Sequence, residues 1–175
     1  MVRGSPNPRH FGLPARLRKA RKQSGLSRAA LGPKVGRDSH VAADVEAGER
    51  IPTVATVALL ASGLNVSAGW LGFGLGAQQL DAPAATTSDM KQRVQAMRTA
   101  RGLTKAELAR LIDLSPTALA NIEKGAQTGV DVLEALAKAL GVSPAWLAYG
   151  EGPQVLPSRR RVRTTAAITD AAVLG

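Results

Sequence analysis

The chain of 175 residues contains no cysteine. This absence excludes a disulfide framework, a zinc site built on thiolates and a cysteine nucleophile. The longest apolar run, at residues 54–64, is too short to cross a bilayer, which takes about 20 apolar residues. The N-terminal stretch MVRGSPNPRHFG lacks the apolar segment of a secretory signal peptide. We therefore predict a cytoplasmic protein that has no membrane partner.

Aromatic residues are scarce, with two tryptophans, two phenylalanines and one tyrosine. This scarcity argues against the base-stacking surface that proteins use to bind single strands. Basic residues are abundant, since 23 Lys and Arg stand against 13 Asp and Glu and give a net charge of +10. The charge indicates a polyanionic partner, and a nucleic-acid duplex fits best. The simpler alternative is a surface charge that only keeps the protein soluble.

The sequence contains an internal repeat. Residues 14–74 align with residues 91–150 at an offset of 77, which becomes 76 after one residue is lost in a loop. Identical pairs anchor the alignment, among them Arg21 with Arg98, Glu46 with Glu123 and Trp70 with Trp146. A period this long is unlike that of a solenoid and indicates a duplicated domain. We interpret the two tryptophans as core anchors, because aromatic side chains dominate small cores.

The second copy predicts five helices and no strand. The first helix runs from about Asp89 to Arg101, and a capping box of Thr104 and Glu107 opens the second, which ends near Ile112. The other three helices are expected at residues 115–124, 130–140 and 143–150. The predicted fold class is all-α, with two tandem five-helix domains.

The domain boundaries follow from the repeat and from composition. We assign an N-terminal domain to residues 13–76, a linker to 77–88, a second domain to 89–152 and a basic tail to 153–175. The tail contains the cluster Arg159, Arg160, Arg161 and Arg163, and we predict that it is disordered on its own.

The third helix of the second copy, within LSPTALANIEKG at 114–125, has an unusual outer face. Leu119 and Ile122 form an apolar stripe, and the opposite face carries Thr117, Ala120 and Asn121 at helical spacing. A helix face in contact with water usually carries longer, charged side chains. The short side chains therefore predict a surface that is kept clear for a partner.

These residues also carry a resemblance to a known family. The segment VQAMRTARGLTKAELARLIDLSPTALANIEKG, followed by LEALAKALGVSPAWLAYG, resembles the phage-repressor and Cro-type helix-turn-helix family, also called the xenobiotic-response-element family. The first copy resembles it more loosely, through GLS, VEAG and WL. The resemblance implies a lambda-repressor-like fold and a double-stranded DNA operator, with the third helix of each domain in the major groove.

The resemblance also implies roles for individual residues. Asn121 would pair with N6 and N7 of adenine, and Thr117 would contact a base edge or a thymine methyl group. Lys105 and Lys124 would meet phosphates, near the helix start at Thr104 whose amides point at the backbone. The full expected DNA-binding set is Thr104, Lys105, Ser115, Pro116, Thr117, Asn121 and Lys124 in the second copy, with Ser27, Arg28, Ser39, His40, Asp44 and Arg50 in the first.

Two charged pairs occupy the positions of a family salt bridge between the first and third helices. They are Arg98 with Glu123 and Arg21 with Glu46, and the resemblance implies a structural role for both. Removing one partner of such a buried pair is expected to cost about 3–5 kcal/mol.

The first copy departs from the family pattern. Pro33 falls inside its predicted second helix, which we expect to be kinked or cut short. Its third helix presents Ser39, His40 and Asp44, and Asp44 could accept a hydrogen bond from cytosine N4 but would be repelled by phosphates. Three roles are open for this copy: reading different bases, binding DNA without specificity, or binding a protein.

Other constellations carry little weight. His40 and Asp44 are spaced like two metal ligands, but the only other histidine is His10. Ser39 lies on the same helical turn, so the three side chains cannot form a catalytic triad. The glycine-rich stretch GFGLG follows no strand. We predict no metal, no cofactor and no enzymatic activity.

The sequence as a whole predicts a sequence-specific transcriptional regulator that is associated with the nucleoid. A repressor is favoured over an activator, because a small protein on an operator can block polymerase without a further domain. Two alternatives stand beside it: an antitoxin-like regulator whose N-terminal domain binds a protein partner, and a non-specific architectural DNA binder. The sequence leaves homodimerisation open.

Overall fold

The computed structural model describes residues 8–79 and 89–156. Within these ranges the chain is helical, and its only β-type pairings are two isolated bridges. The arginine cluster predicted at 159–163 and most of the predicted linker lie outside the described residues.

Each copy of the repeat contains five α-helices. The first copy has a 3-10 turn at Arg9–Gly12, followed by α1 Leu13–Gln23, α2 Arg28–Lys34, α3 Val41–Ala47, α4 Val54–Leu64 and α5 Ala68–Phe73. The second copy has α6 Met90–Ala100, α7 Lys105–Leu111, α8 Pro116–Glu123, α9 Val130–Ala139 and α10 Pro144–Tyr149. The five helices predicted for the second copy are confirmed, with their ends within one residue of the prediction.

Short polar side chains begin the helices of the second copy, as their positions in the sequence predict. The Thr104 side chain accepts a hydrogen bond from the backbone N–H of Glu107, and the Glu107 carboxylate accepts one from the Thr104 N–H, which completes the capping box. Ser115 Oγ accepts from the N–H of Ala118 at 3.1 Å, and Pro116 is the first residue of α8. These bonds satisfy amides that no helix can pair internally.

We predicted that Pro33 would kink the second helix of the first copy or cut it short, and the second of these effects does not occur. Pro33 is the second-last residue of α2, and this helix spans the same seven repeat positions as α7. A proline near the C-terminal end of a short helix removes only one hydrogen bond, and the N–H groups of Val35 and Gly36 close the end of the helix. Gly32 also lies so close to the loop that a Cβ there would overlap the Asp38 carbonyl.

The two copies share one continuous hydrophobic core. Leu17, Leu60 and Leu71 of the first copy and Leu108 and Leu136 of the second belong to the same cluster of buried residues, and each is fully buried. The two tryptophans are only partly buried and pack against its edge, so the prediction that they are core anchors holds in part. Burying two small cores against one another removes more apolar surface from water than either copy could alone.

The copies meet around a pseudo-twofold axis. The backbone N–H of Val54 donates to the Thr128 carbonyl at 2.9 Å, and the N–H of Val130 donates to the Pro52 carbonyl at 3.2 Å. Because Val54 and Pro52 align with Val130 and Thr128 in the repeat, the two bonds are the same contact made in both directions. A bridge between Thr53 and its repeat mate Gly129 lies between them. The arrangement is that of an isologous dimer within one chain.

Helices α5 and α10 also meet at this axis. Gly69 faces its repeat mate Ala145 so closely that a Cβ at Gly69 would lie 2.8 Å from the Ala145 Cβ. The rings of Phe73 and Tyr149, another pair of repeat mates, have centroids 6.3 Å apart. The Tyr149 hydroxyl donates to the Val54 carbonyl at 3.1 Å. Burial, and secondarily the charge of Glu151, raises the pKa of Tyr149 well above its usual value.

Among the described residues, no helix combines the length and the apolar character that crossing a membrane would take.

Candidate nucleic-acid interface

The second copy presents a helix, a tight turn and a second helix. Helix α7 ends at Leu111, and the turn that follows contains Asp113 at a positive φ of 56°. The N–H of Leu114 donates back to the Ala109 carbonyl at 2.9 Å, which fixes the direction in which the chain enters α8. Aspartate tolerates the left-handed conformation better than most residues.

Helix α8 buries one face and exposes the other. Leu119 and Ile122 are buried in the core, whereas Thr117, Asn121 and Lys124 are exposed. The structure therefore brings the predicted reading residues of the second copy together on one accessible face. Ser115 and Pro116 lie at its start and are also exposed.

An ion pair holds α8 against α6. Arg98 Nε donates to Glu123 Oε1 at 2.6 Å, and a second guanidinium nitrogen donates to the Leu103 carbonyl at 2.8 Å. The salt bridge implied by the resemblance is thus present. Lys105 Nζ lies 3.5 Å from Glu123 Oε2, with its side chain 47% exposed. Lys105, the predicted phosphate-binding lysine, therefore forms an ion pair with the same carboxylate as Arg98. Because the lysine side chain is about half exposed, it can also reach a ligand in solution.

The start of α7 carries a negative group as well as free amides. Glu107 Oε2 accepts from both the backbone N–H and the hydroxyl of Thr104, each at 2.7 Å. These bonds, chiefly that from the backbone, lower the pKa of Glu107. The ionised carboxylate of Glu107 therefore binds the N–H and hydroxyl groups of Thr104, beside which the resemblance implies a phosphate. The first copy lacks this group, because Ser27 caps α2 alone and Ala30 stands in place of Glu107.

The first copy holds its third helix with a larger cluster of charges. The Glu46 side chain is only 1% exposed and lies within 4 Å of three guanidinium groups, those of Arg18, Arg21 and Arg28. Burial by itself raises the pKa of Glu46, but the hydrogen bonds from Arg21 and Arg28 outweigh it and lower the pKa. The hydrogen bond to Glu46 in turn raises the pKa of Arg21. The predicted structural pair Arg21–Glu46 is present. Arg28, which was predicted to bind DNA, also forms an ion pair with Glu46.

The predicted reading residues of the first copy differ in placement from those of the second. Helix α3 begins at Val41, two repeat positions later than α8, so Ser39 and His40 lie in the preceding turn and not in the helix as predicted. The physical reason is Asp38, whose side chain accepts from the N–H of His40 at 2.7 Å and forms a local turn that competes with the helix. His40 is exposed, whereas Ser39 and Asp44 are half-buried.

A groove of about 500 Å³ lies beside α3. Arg37 and Arg50 line it together with His40 and Asp44, so cationic and anionic side chains share one concave surface. Arg50 lies in the loop that is one residue longer than its counterpart in the second copy. The groove gives the first copy a concave surface of mixed polar and apolar side chains beside its third helix.

Sequence reasoning missed two structural arginines. Arg16 donates to the carbonyls of Leu71 and Gly72, each at 2.8 Å, and Arg93 makes the equivalent bonds to Leu147 and Ala148 at 3.0 and 2.9 Å. Each guanidinium satisfies carbonyls near the end of its domain's last helix. Burial lowers the pKa of both arginines. Their identity in the repeat was visible in the sequence, but the partners they contact were not.

No group of three or more potential metal-ligating side chains occurs in the ranges that the structure describes.

The fold and the exposed third helix define the class of protein to which the chain belongs. Residues 94–147 match the helix-turn-helix family, and residues 13–69 match the helix-turn-helix domain family. Together the two matches cover more than half of the chain. The chain belongs to the helix-turn-helix family, as a tandem pair of domains of the Cro and repressor type. It is a DNA-binding regulator of a class that is typically non-enzymatic. No solved structure matches the chain.

Proposed function

We propose that this protein is a sequence-specific repressor in which one chain acts as a pseudo-symmetric dimer on double-stranded DNA. The observation that carries the proposal is the reciprocal contact of Val54 and Val130 around the Thr53–Gly129 bridge. Helix-turn-helix dimers read two half-sites whose arrangement mirrors the symmetry of the protein. A chain that pairs its own two domains in this way has two third helices, one for each half-site. The operator would lie in the cytoplasm, at the nucleoid.

The two half-sites are expected to differ. The exposed amide of Asn121 suits adenine, whereas its repeat mate Asp44 offers only acceptors and suits cytosine N4. The operator should therefore be two linked motifs that are only roughly palindromic, with centres about one helical turn or 34–36 Å apart.

The test is a selection from random duplexes with the full chain and two variants. Asn121→Ala should cost about 1–3 kcal/mol on the best operator and relax the preference at one base pair of one half-site. Asp44→Asn should instead change the preferred base in the other half-site from cytosine, which donates through N4, to adenine. Gln92→Ala, which removes an exposed amide from α6, serves as the matched control and should leave both motifs unchanged.

The outcomes separate the candidate functions. Two linked motifs that respond separately to the two variants support the proposal. A single motif that ignores Asp44→Asn would mean that the first copy does not read bases. A selection without any preferred sequence would favour the architectural alternative.

The partner-binding alternative drew on two departures of the first copy, Pro33 and the residues of its third helix. Helix α2 runs through Pro33, so this alternative now depends on the third helix alone.

A further inference from the structure

The pseudo-symmetry of the two domains is broken by two carboxylates. Glu134 of α9 aligns with Ala58 of α4, and Glu151, just after α10, aligns with Leu75. Both glutamates belong to the second domain, and both bind the first. Neither contact can be returned in the opposite direction, because the aligned residues are apolar.

Glu134 binds the 3-10 turn that precedes the first domain. Its carboxylate accepts from the backbone N–H of Arg9 at 2.7 Å and from the N–H of His10 at 3.1 Å. The Nδ1 atom of His10 lies 2.7 Å from the same carboxylate, and the side chains of His10 and Glu134 are only 11% and 17% exposed. Three polar atoms of the turn that leads into the first domain therefore converge on a single carboxylate of the second domain.

Glu151 binds the start of α5. Its Oε2 atom accepts from the Ser67 hydroxyl at 2.5 Å and from the N–H of Gly69 at 2.8 Å, and Oε1 accepts from the N–H of Ala68 at 3.2 Å. This carboxylate caps a helix of the other domain. A side chain at position 69 would collide with it, since a Cβ there would lie 2.7 Å from Oε2.

The two carboxylates add directional contacts that the pseudo-twofold symmetry does not repeat. The side-chain contacts between repeat mates, Gly69 with Ala145 and Phe73 with Tyr149, are largely apolar, and the reciprocal backbone bonds of Val54 and Val130 lie beside them. Apolar contacts have little directional preference, so they hold the domains together but tolerate small rotations. Hydrogen bonds to a carboxylate are short and directional. The bonds to Glu134 and Glu151 therefore add to the backbone bonds of Val54 and Val130 in resisting a rotation that the apolar contacts would tolerate.

We propose that Glu134 and Glu151 are positioning residues that set the angle and separation of α3 and α8, and with them the half-site spacing that the protein accepts. The inference rests on the proposed function. One added base pair moves a half-site along the duplex and turns it by about a tenth of a helical turn, which a rigid pair of domains cannot follow.

The first experiment measures the domain arrangement without DNA. Because the chain has no cysteine, Lys34→Cys and Leu111→Cys place spin labels at two exposed, aligned positions at the ends of α2 and α7. The parent protein should give one narrow distance distribution. The double variant Glu134→Ala/Glu151→Ala should broaden it, and Glu134→Gln/Glu151→Gln, which retains one acceptor at each position, should restore part of the sharpness. An unchanged distribution in the alanine variant would overturn the proposal.

A matched control removes the same charge from the same domain. Asp89→Ala/Asp131→Ala takes two carboxylates from α9 and the start of α6, and neither side chain makes a hydrogen bond to the first domain among the described residues. The control should keep the narrow distribution. Circular dichroism of each variant verifies that the helices remain folded.

The second experiment measures affinity as a function of half-site spacing. Duplexes carry the two motifs selected by the unaltered chain at the preferred spacing and with one or two base pairs added or removed. The unaltered chain should lose about tenfold or more in affinity for each added base pair, on the scale of a lost base contact. The alanine variant should lose at most about threefold in affinity for each added base pair. Its affinity for one isolated half-site should equal that of the unaltered chain.

The two possible failures can be told apart. If the unaltered chain selects no motif, the proposed function fails and the spacing inference falls with it. If two motifs are selected and the alanine variant keeps the same spacing profile, only the positioning role of Glu134 and Glu151 is refuted.

Discussion

Glu46→Gln should be among the most destabilising single changes in the chain. The Glu46 carboxylate is 1% exposed and lies within hydrogen-bonding distance of Arg21 and Arg28, at 2.5 to 3.0 Å. The Arg21 side chain is only 9% exposed, so glutamine would leave its charge buried without a counter-ion. Breaking a buried pair in this way costs about 3–5 kcal/mol. This is a large part of a typical unfolding free energy of about 5–15 kcal/mol.

The assay is urea-induced unfolding followed by circular dichroism, with Arg28→Ala as the comparison. The Arg28 side chain is 54% exposed, so its loss should cost no more than about 1 kcal/mol. Since the folded-state pKa of Glu46 is lowered, its contribution is full above its ordinary value of 4.5 and is lost as the pH falls below it. The gap between the parent protein and Glu46→Gln should therefore narrow in acid. A cost below about 1 kcal/mol at neutral pH would refute the argument from burial.

Two further changes test the axis and the DNA-facing surface. Tyr149→Phe should cost about 1 kcal/mol through the lost bond to the Val54 carbonyl, and aligned Phe73 indicates that the ring alone fits. Because burial raises the pKa of Tyr149, the parent protein should also lose stability relative to this variant as the pH rises above 10, and parallel curves in an alkaline titration would contradict this. Lys105→Ala should weaken binding to all duplexes alike and lower the slope of affinity against salt concentration by about one. Lys138→Ala, which removes an exposed lysine from α9, is the control, and equal slopes for the two variants would contradict a phosphate contact at Lys105.

Much of the fold could be predicted from local signals in the sequence. Ser115, Pro116 and the capping box at Thr104 mark helix starts by hydrogen bonds that lie within a few residues, and the structure has those helices. The exposed face of α8 followed from helical periodicity alone. Such features depend on neighbours in the chain, which a sequence displays directly.

The errors arose where local rules compete. Pro33 is costly in a helix interior, but near the end of α2 it removes only one bond. Asp38 forms a turn through its own side chain and delays α3, although the repeat alignment suggested a helix from Ser39.

The contact between the domains could not be predicted at all. Three residues that make this contact differ from their repeat mates: Glu134, Glu151 and Tyr149. The sequence shows that these positions have diverged, but it does not show what they bind. The atoms that they bind lie between 82 and 125 residues away in the chain. No periodicity connects positions at such distances, so their roles depend on knowing how the two copies pack.

The pairing of both copies within one chain has a consequence for dosage. A regulator made of two separate subunits dissociates on dilution, so at low concentration its occupancy of a site rises with the square of the number of molecules. Here the second domain is held near the first at a fixed effective concentration that does not depend on the number of molecules in the cell. Occupancy by a single chain should rise in direct proportion to copy number, which gives a graded response that persists when only a few molecules are made.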